Sequence, residues 1–159
     1  MNECIFCKLY RKKEEIIYQS KYFYARFERF PVSPGHTELI PMRHTVSLLD
    51  LNKEEWMDLK SSIKDVIAII ERTPFKKLYG EYLKNPLNEK SEWFCKKMLE
   101  NSNVEKKPDG HNIGVNEGEA AGRTIDHLHI HIIPRYAGDV EDYIGGIRHI
   151  IPEMGNYKE

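Results

Sequence analysis

From His127 to Ile133 the chain reads His-Leu-His-Ile-His-Ile-Ile, a strict alternation of imidazole and aliphatic side chains. Alternation over seven residues, with β-branched isoleucines between the histidines, favours a half-buried strand over a helix. Successive strand side chains point to opposite faces, so His127, His129 and His131 share one face, each about 7 Å from the next. Leu128, Ile130 and Ile132 share the other and face a core. A single histidine on a strand is usually a half-exposed surface residue. Three on one face pack poorly but make a good site, because a near-neutral imidazole can be nucleophile, proton donor or metal ligand.

The residues ahead of this strand suit such a site. Asn116-Glu-Gly-Glu-Ala-Ala-Gly-Arg-Thr-Ile-Asp126 is a loop with glycines at 118 and 122, able to offer backbone N–H groups to an anion. The loop and the alternation His-φ-His-φ-His-φ-φ, φ being apolar, together resemble the signature of the histidine triad (HIT) family of nucleotide hydrolases and transferases. The resemblance covers about residues 3–73 and 108–152.

Elsewhere the pattern is that of an α+β scaffold. Strands are expected at Ile16–Ser20, Tyr22–Phe27, Thr37–Pro41 and His111–Asn116, with a bent loop at Phe27-Glu-Arg-Phe-Pro-Val-Ser-Pro-Gly-His36 fixed by two prolines and a glycine. A helix is expected over Asn52–Arg72, with Asn52 as cap and Glu55 at the reciprocal position. Its stripe of Trp56, Leu59, Ile63, Val66, Ile67 and Ile70 should pack on the sheet face that carries Leu128, Ile130 and Ile132. Thr73-Pro74 stops it. The fold implied by the resemblance is a curved antiparallel sheet of about five strands with this long helix on one face. Residues 74–108 hold two short amphipathic stretches, Phe75–Lys84 and Asn88–Glu100. HIT relatives have a shorter connection here, so this segment reads as a helical insertion, a solvated excursion or else a lid or dimer contact.

At 159 residues the chain suits one domain, spanning 1–159. A net charge of −1 gives no global field to recruit nucleic acid or an acidic membrane. No apolar run approaches the roughly 20 residues of a bilayer span, and the first residues lack the apolar core of a signal peptide. A cytoplasmic protein is expected. Cys4 and Cys7 form a Cys-x-x-Cys pair, which in a reducing compartment is a metal half-site or a redox pair rather than a disulfide.

The resemblance implies roles for particular residues. His129 resembles the nucleophile that takes a nucleoside monophosphate as a covalent intermediate, with His127 and His131 completing the catalytic triad and His131 contacting phosphate. Asn116, Gly122 and Thr124 match the phosphate pocket, and Arg123 stands where many relatives carry Gln. Glu28 stands where relatives carry a ribose-binding Asp, while Phe6 and Phe27 could sandwich the base. Arg135, Arg148 and His149 could reach far phosphates. In many prokaryotic relatives a structural zinc joins such a Cys pair to two histidines, here Cys4, Cys7, His44 and His127. No organic cofactor is implied, and the family usually forms a homodimer.

The reading is therefore an enzyme that cleaves at the α-phosphate of an adenine nucleotide, a dinucleoside polyphosphate or a phosphoramidate, through nucleotidyl-His129. The alternatives are a dinucleoside-polyphosphate phosphorylase using phosphate as acceptor, a non-catalytic nucleotide-binding module, and a metallohydrolase with a zinc held by the three histidines.

Overall fold

The computed structural model describes residues 3–158. The chain runs α1 (Ile5–Lys12), β1 (Tyr18–Gln19), β2 (Phe23–Phe27), β3 (Thr37–Pro41), α2 (Lys53–Arg72), α3 (Phe75–Lys84), α4 (Glu89–Glu100), β4 (Gly110–Gly114) and β5 (Ile130–Arg135). The five strands make one open antiparallel sheet in the order β1-β2-β3-β5-β4.

Register decides which residues meet across this sheet, because side chains opposite one another share a face. Ala25 pairs with Leu39 and Leu39 with Ile130; Phe27 pairs with Thr37 and Thr37 with Ile132. These rows face the main core, where they join Leu59, Val66 and Ile70 of α2. The alternate rows face the other way. Tyr24 and Ile40 cluster there with Phe6 of α1. Arg26 pairs with Glu38 and Glu38 with His131, a polar row across three strands. The sheet thus has α2 on its apolar face and α1 on the face that carries the histidines.

Helix α2 begins as its sequence dictates. Asn52 Oδ1 accepts from the Glu55 amide at 2.9 Å and Glu55 Oε2 accepts from the Asn52 amide at 2.9 Å, a reciprocal cap. Its buried line is Glu55, Leu59, Ser62, Val66 and Ile70, at steps of three and four. Trp56, expected on this stripe, is 44% exposed because it lies one residue, about 100° of helix rotation, from that line.

Local structure differs from the sequence reading in three places. The regular strand begins at Ile130, not at His127. Its partner β3 ends at Pro41, which has no N–H to offer, and the Leu128 amide goes instead to Thr45 O at 2.6 Å. The segment that carries Cys7, to which the sequence pattern assigns no element, is a helix, α1. Residues 74–108 are not a solvated excursion either. Phe75, Tyr79, Met98 and Val104 join the main core, and Tyr79 Oη accepts from the Gly35 amide at 2.8 Å.

Candidate active site

A cavity of about 730 Å³ opens on the histidine-bearing face, lined by His129, His131, His36, Glu28, Asn116 and Thr124 along with the apolar Ile5, Phe6, Leu9 and Phe30. Its volume is that of a small-molecule site.

Hydrogen bonds fix the tautomer of each imidazole. A carbonyl oxygen only accepts, so the 2.8 Å contact from His129 Nδ1 to His127 O requires the proton on Nδ1. That leaves the Nε2 lone pair of His129 free. The Val32 amide donates to His36 Nδ1 at 3.4 Å, which puts the His36 proton on Nε2. His36 Nε2–H then donates to His131 Nδ1 at 3.0 Å, leaving His131 Nε2–H as a donor. One ring is arranged to attack and its neighbour to donate, with ring centroids 4.9 Å apart.

Burial favours the uncharged forms of His36 and His131. It pushes His36 down to about 4, reinforced by His131, and lowers His131, with His129 adding to the effect. The sign of the consequence follows. Unfolded His36 protonates near 6.5 and folded His36 near 4, so its contribution is fully present above 6.5 and is lost as pH falls through that window. We expect His36→Gln to flatten stability between pH 6.5 and 4 relative to the parent, which loses up to about 1.4 kcal/mol per pH unit from this group. Urea unfolding at half-unit pH steps measures it; identical slopes in the two proteins would refute the assignment.

Beside these histidines lies a carboxyl pair, Glu28 and Glu38, with Glu38 opposite His131 across β3 and β5. Burial and the charge of Glu28 hold Glu38 well above the usual carboxylate range. Burial also works to raise Glu28, but hydrogen bonds from Glu38 and the Phe30 amide, with the charge of Arg26, hold it below that range. Glu38 carries the proton and Glu28 the charge. Arg26 donates to Glu38 Oε2 at 3.4 Å and to Glu15 Oε2 at 2.8 Å, so the cavity floor is an ordered ionic network.

Gly122 and Arg123 do not line the cavity, and their positions differ in kind. Gly122 has φ +95°, a backbone that favours glycine, and its carbonyl accepts from Asn116 Nδ2 at 3.4 Å, orienting that side chain. The Arg123 guanidinium turns to Asp126, 3.2 Å away, and Glu117, 3.9 Å away. Phe27, considered for the base, sits on the core face against Phe75 with ring centroids 5.3 Å apart. Arg135 is held by Asp139 and Asn112, and Arg148 by the carbonyls of Met154 and Gly155, so both are spent within the C-terminal part of the fold. His149 Nε2 donates to Ile144 O at 2.7 Å. His36 had no role in the sequence reading, although Pro34-Gly35-His36 ends the bent loop beside the triad.

His127 faces away from the cavity. Its Nε2–H donates to Pro41 O at 2.9 Å, which leaves Nδ1 unprotonated, 3.3 Å from Cys4 Sγ and 3.5 Å from Cys7 Sγ. His44 Nδ1 lies 3.6 Å from Cys7 Sγ. The four donor atoms all fall within 4.8 Å of one another. A tetrahedral zinc with Zn–S of about 2.3 Å and Zn–N of about 2.0–2.1 Å would set its ligand atoms about 3.3–3.8 Å apart, a range that the three sulfur–nitrogen separations of 3.3, 3.5 and 3.6 Å meet. Burial and the neighbouring Cys4 raise the Cys7 thiol, so no protein cation favours a thiolate here and a metal would supply that charge.

An α+β sheet with alternate histidines turned to one cavity, braced by a Cys₂His₂ cluster, defines a histidine-triad protein. The chain belongs to the HIT domain family, whose model matches residues 10–138. It is 30% identical over 137 residues to bis(5'-adenosyl)-triphosphatase of Saccharomyces cerevisiae, covering 86% of this chain and 51% of that protein. To the AP-4-A phosphorylase of Mycobacterium tuberculosis it is 26% identical over 142 residues, covering 87% and 56%. The chain thus spans about half the length of these curated relatives. A zinc-bound histidine triad family protein from Mycobacterium smegmatis superimposes with a TM-score of 0.54 at 26% identity, covering 89% of this chain and 81% of that one. Among the described residues, no helix is long and apolar enough to cross a membrane.

Proposed function

We propose that the protein is a nucleotidyl hydrolase or transferase acting at the α-phosphorus of adenine nucleotides, of the dinucleoside-polyphosphate or phosphoramidate type. The observation that carries this reading is the free Nε2 lone pair of His129 in a cavity beside the His131 N–H. The names of the yeast and mycobacterial relatives support the choice of substrate class.

In the first step the His129 Nε2 lone pair attacks the α-phosphorus, an Nε2–P bond forms, and the P–O or P–N bond to the leaving group breaks with its electron pair. The leaving group takes a proton from solvent. His131 Nε2–H donates to a non-bridging oxygen as charge grows there, with Asn116 and Thr124 as further donors. Glu28, ionised, accepts from the ribose hydroxyls. In the second step water attacks phosphorus, the Nε2–P bond breaks, and a nucleoside monophosphate leaves. Inorganic phosphate in place of water would make the enzyme a phosphorylase, a reading favoured by the likeness to the mycobacterial protein. The test is intact mass after brief exposure to a diadenosine polyphosphate, which should show a transient gain of one adenylyl group. Labelled phosphate then identifies the acceptor by whether label enters the product. The absence of any adenylated protein during turnover would rule the mechanism out.

We also propose that Cys4, Cys7, His44 and His127 hold a structural zinc, which would supply folding energy and pin α1 to the sheet. The catalytic part of His127 is then its carbonyl oxygen, which fixes the His129 tautomer, while its ring serves the metal.

A homodimer is proposed through the edge strand β4. Beside it lies an apolar groove of Ile113, Val115 and Ile63, rimmed by Leu49 at 83% and Trp56 at 44% exposure. Light scattering should give twice the chain mass, and Trp56→Glu should give the monomer; a monomeric parent would dismiss this.

A further inference from the structure

Helices α3 and α4 contribute to the cavity as well as to the core. The turn between them brings Leu87 and Asn88 into its wall. This turn is held rigidly by the loop that carries Glu28. Arg29, next to Glu28 and 6% exposed, donates to Asn85 O at 3.1 Å and to Glu15 Oε1 at 2.8 Å. Its guanidinium also lies over the Tyr82 ring, 4.0 Å from the centroid. One residue further, Phe30 packs edge-on against Phe94 of α4 with centroids 5.9 Å apart. Asn88 spends its Oδ1 on the Ser91 amide at 2.9 Å, capping α4.

Leu87 is left different. It is a large apolar side chain, 58% exposed, at the edge of a cavity whose other apolar wall is Ile5, Phe6 and Leu9 of α1. Ile5, too, is 46% exposed. Leu87 and Ile5, two partly exposed aliphatic side chains on separate elements, line the same cavity as His129, and a flat aromatic ring held between them would bury both.

We propose that the α3–α4 turn is the nucleoside-selecting wall of this cavity, with Leu87 against one face of a purine base and Ile5 and Phe6 against the other. The proposal rests on the nucleotide reading above. Because the contact is made to the ring face, it rewards the larger π-surface of a purine over a pyrimidine.

Titration of AMP and CMP into the parent and into Leu87→Ala, followed by calorimetry, tests this. Leu87 supports no core residue, so the variant should fold with an unchanged melting temperature. Its affinity for AMP should fall about fivefold to tenfold, that for CMP about twofold, and the AMP preference should shrink accordingly. Leu87→Met should restore AMP binding. An AMP affinity within twofold of the parent, or equal losses for AMP and CMP, would overturn the proposal while leaving adenylyl-His129 trapping intact. A parent that binds neither nucleotide would overturn both this proposal and the proposed function.

Discussion

His129→Ala should lower turnover of a diadenosine polyphosphate by about 10³-fold or more, because it removes the atom to which the nucleotidyl group is transferred. No adenylated species should appear in its mass spectrum under conditions where the parent shows one. Nucleotide affinity should change by no more than a few-fold, since Glu28, His131, Asn116 and the apolar walls stay in place. That split, lost kcat with retained binding, separates a nucleophile from a residue that merely shapes the cavity. A variant that still turned over within tenfold of the parent would sink the covalent mechanism. So would adenylation that moved to another residue with full rate.

Removal of the proposed zinc should give the second large effect. Where free zinc stands a thousandfold above its dissociation constant, binding contributes about 4 kcal/mol. For a chain of this length that is about 8–16 °C in melting temperature. Metal analysis should find one zinc per chain in the parent and little in Cys7→Ser, while Cys95→Ser, which changes a buried thiol far from the cluster in sequence, should keep its metal. Loss of the metal should also weaken nucleotide binding more than it slows the chemical step. The reason is the position of Phe6. It lies between the two cysteines on α1, packs against His127 and His129 at 5.7 and 5.2 Å between centroids, and lines the cavity. A parent that contained no zinc and whose melting was indifferent to chelators would remove the metal from the account.

What could be read from the residues alone follows from how local each signal is. The alternation announced the core face of Leu128, Ile130 and Ile132 and brought His129 and His131 to one cavity, but not His127, whose ring turns to the cysteines; the Asn52–Glu55 pair announced the start of α2. Both are patterns that one element completes by itself. The α1 helix was not legible, because eight residues are too few to hold a helix without tertiary contacts, and its support comes from Tyr24 and Ile40. His36 was missed for a related reason. Its role depends on a partner 95 residues away, and no spacing within the bent loop reveals that contact. The burial of residues 74–108 was equally hidden, since their lysines and glutamates suggest solvent while Phe75 and Tyr79, at a helical step of four, carry the packing. Parity explains the exchange of Phe27 for Phe30 as an aromatic near the site: Phe27 lies in register with Thr37 on the core side, whereas Phe30 has left the strand.

The single guanidinium of Arg29 knots three stretches of chain, touching Glu15, Asn85 and Tyr82 at once. Anyone wishing to graft α3 and α4 onto a shorter relative, or to trim them from this one, would therefore be handling a keystone rather than a detachable cassette. A shortened chain would open that arginine to water, strip it of Asn85 and Tyr82, and loosen the neighbouring Glu28. Transplants would have to carry Arg29, Tyr82, Asn85 and Phe94 together.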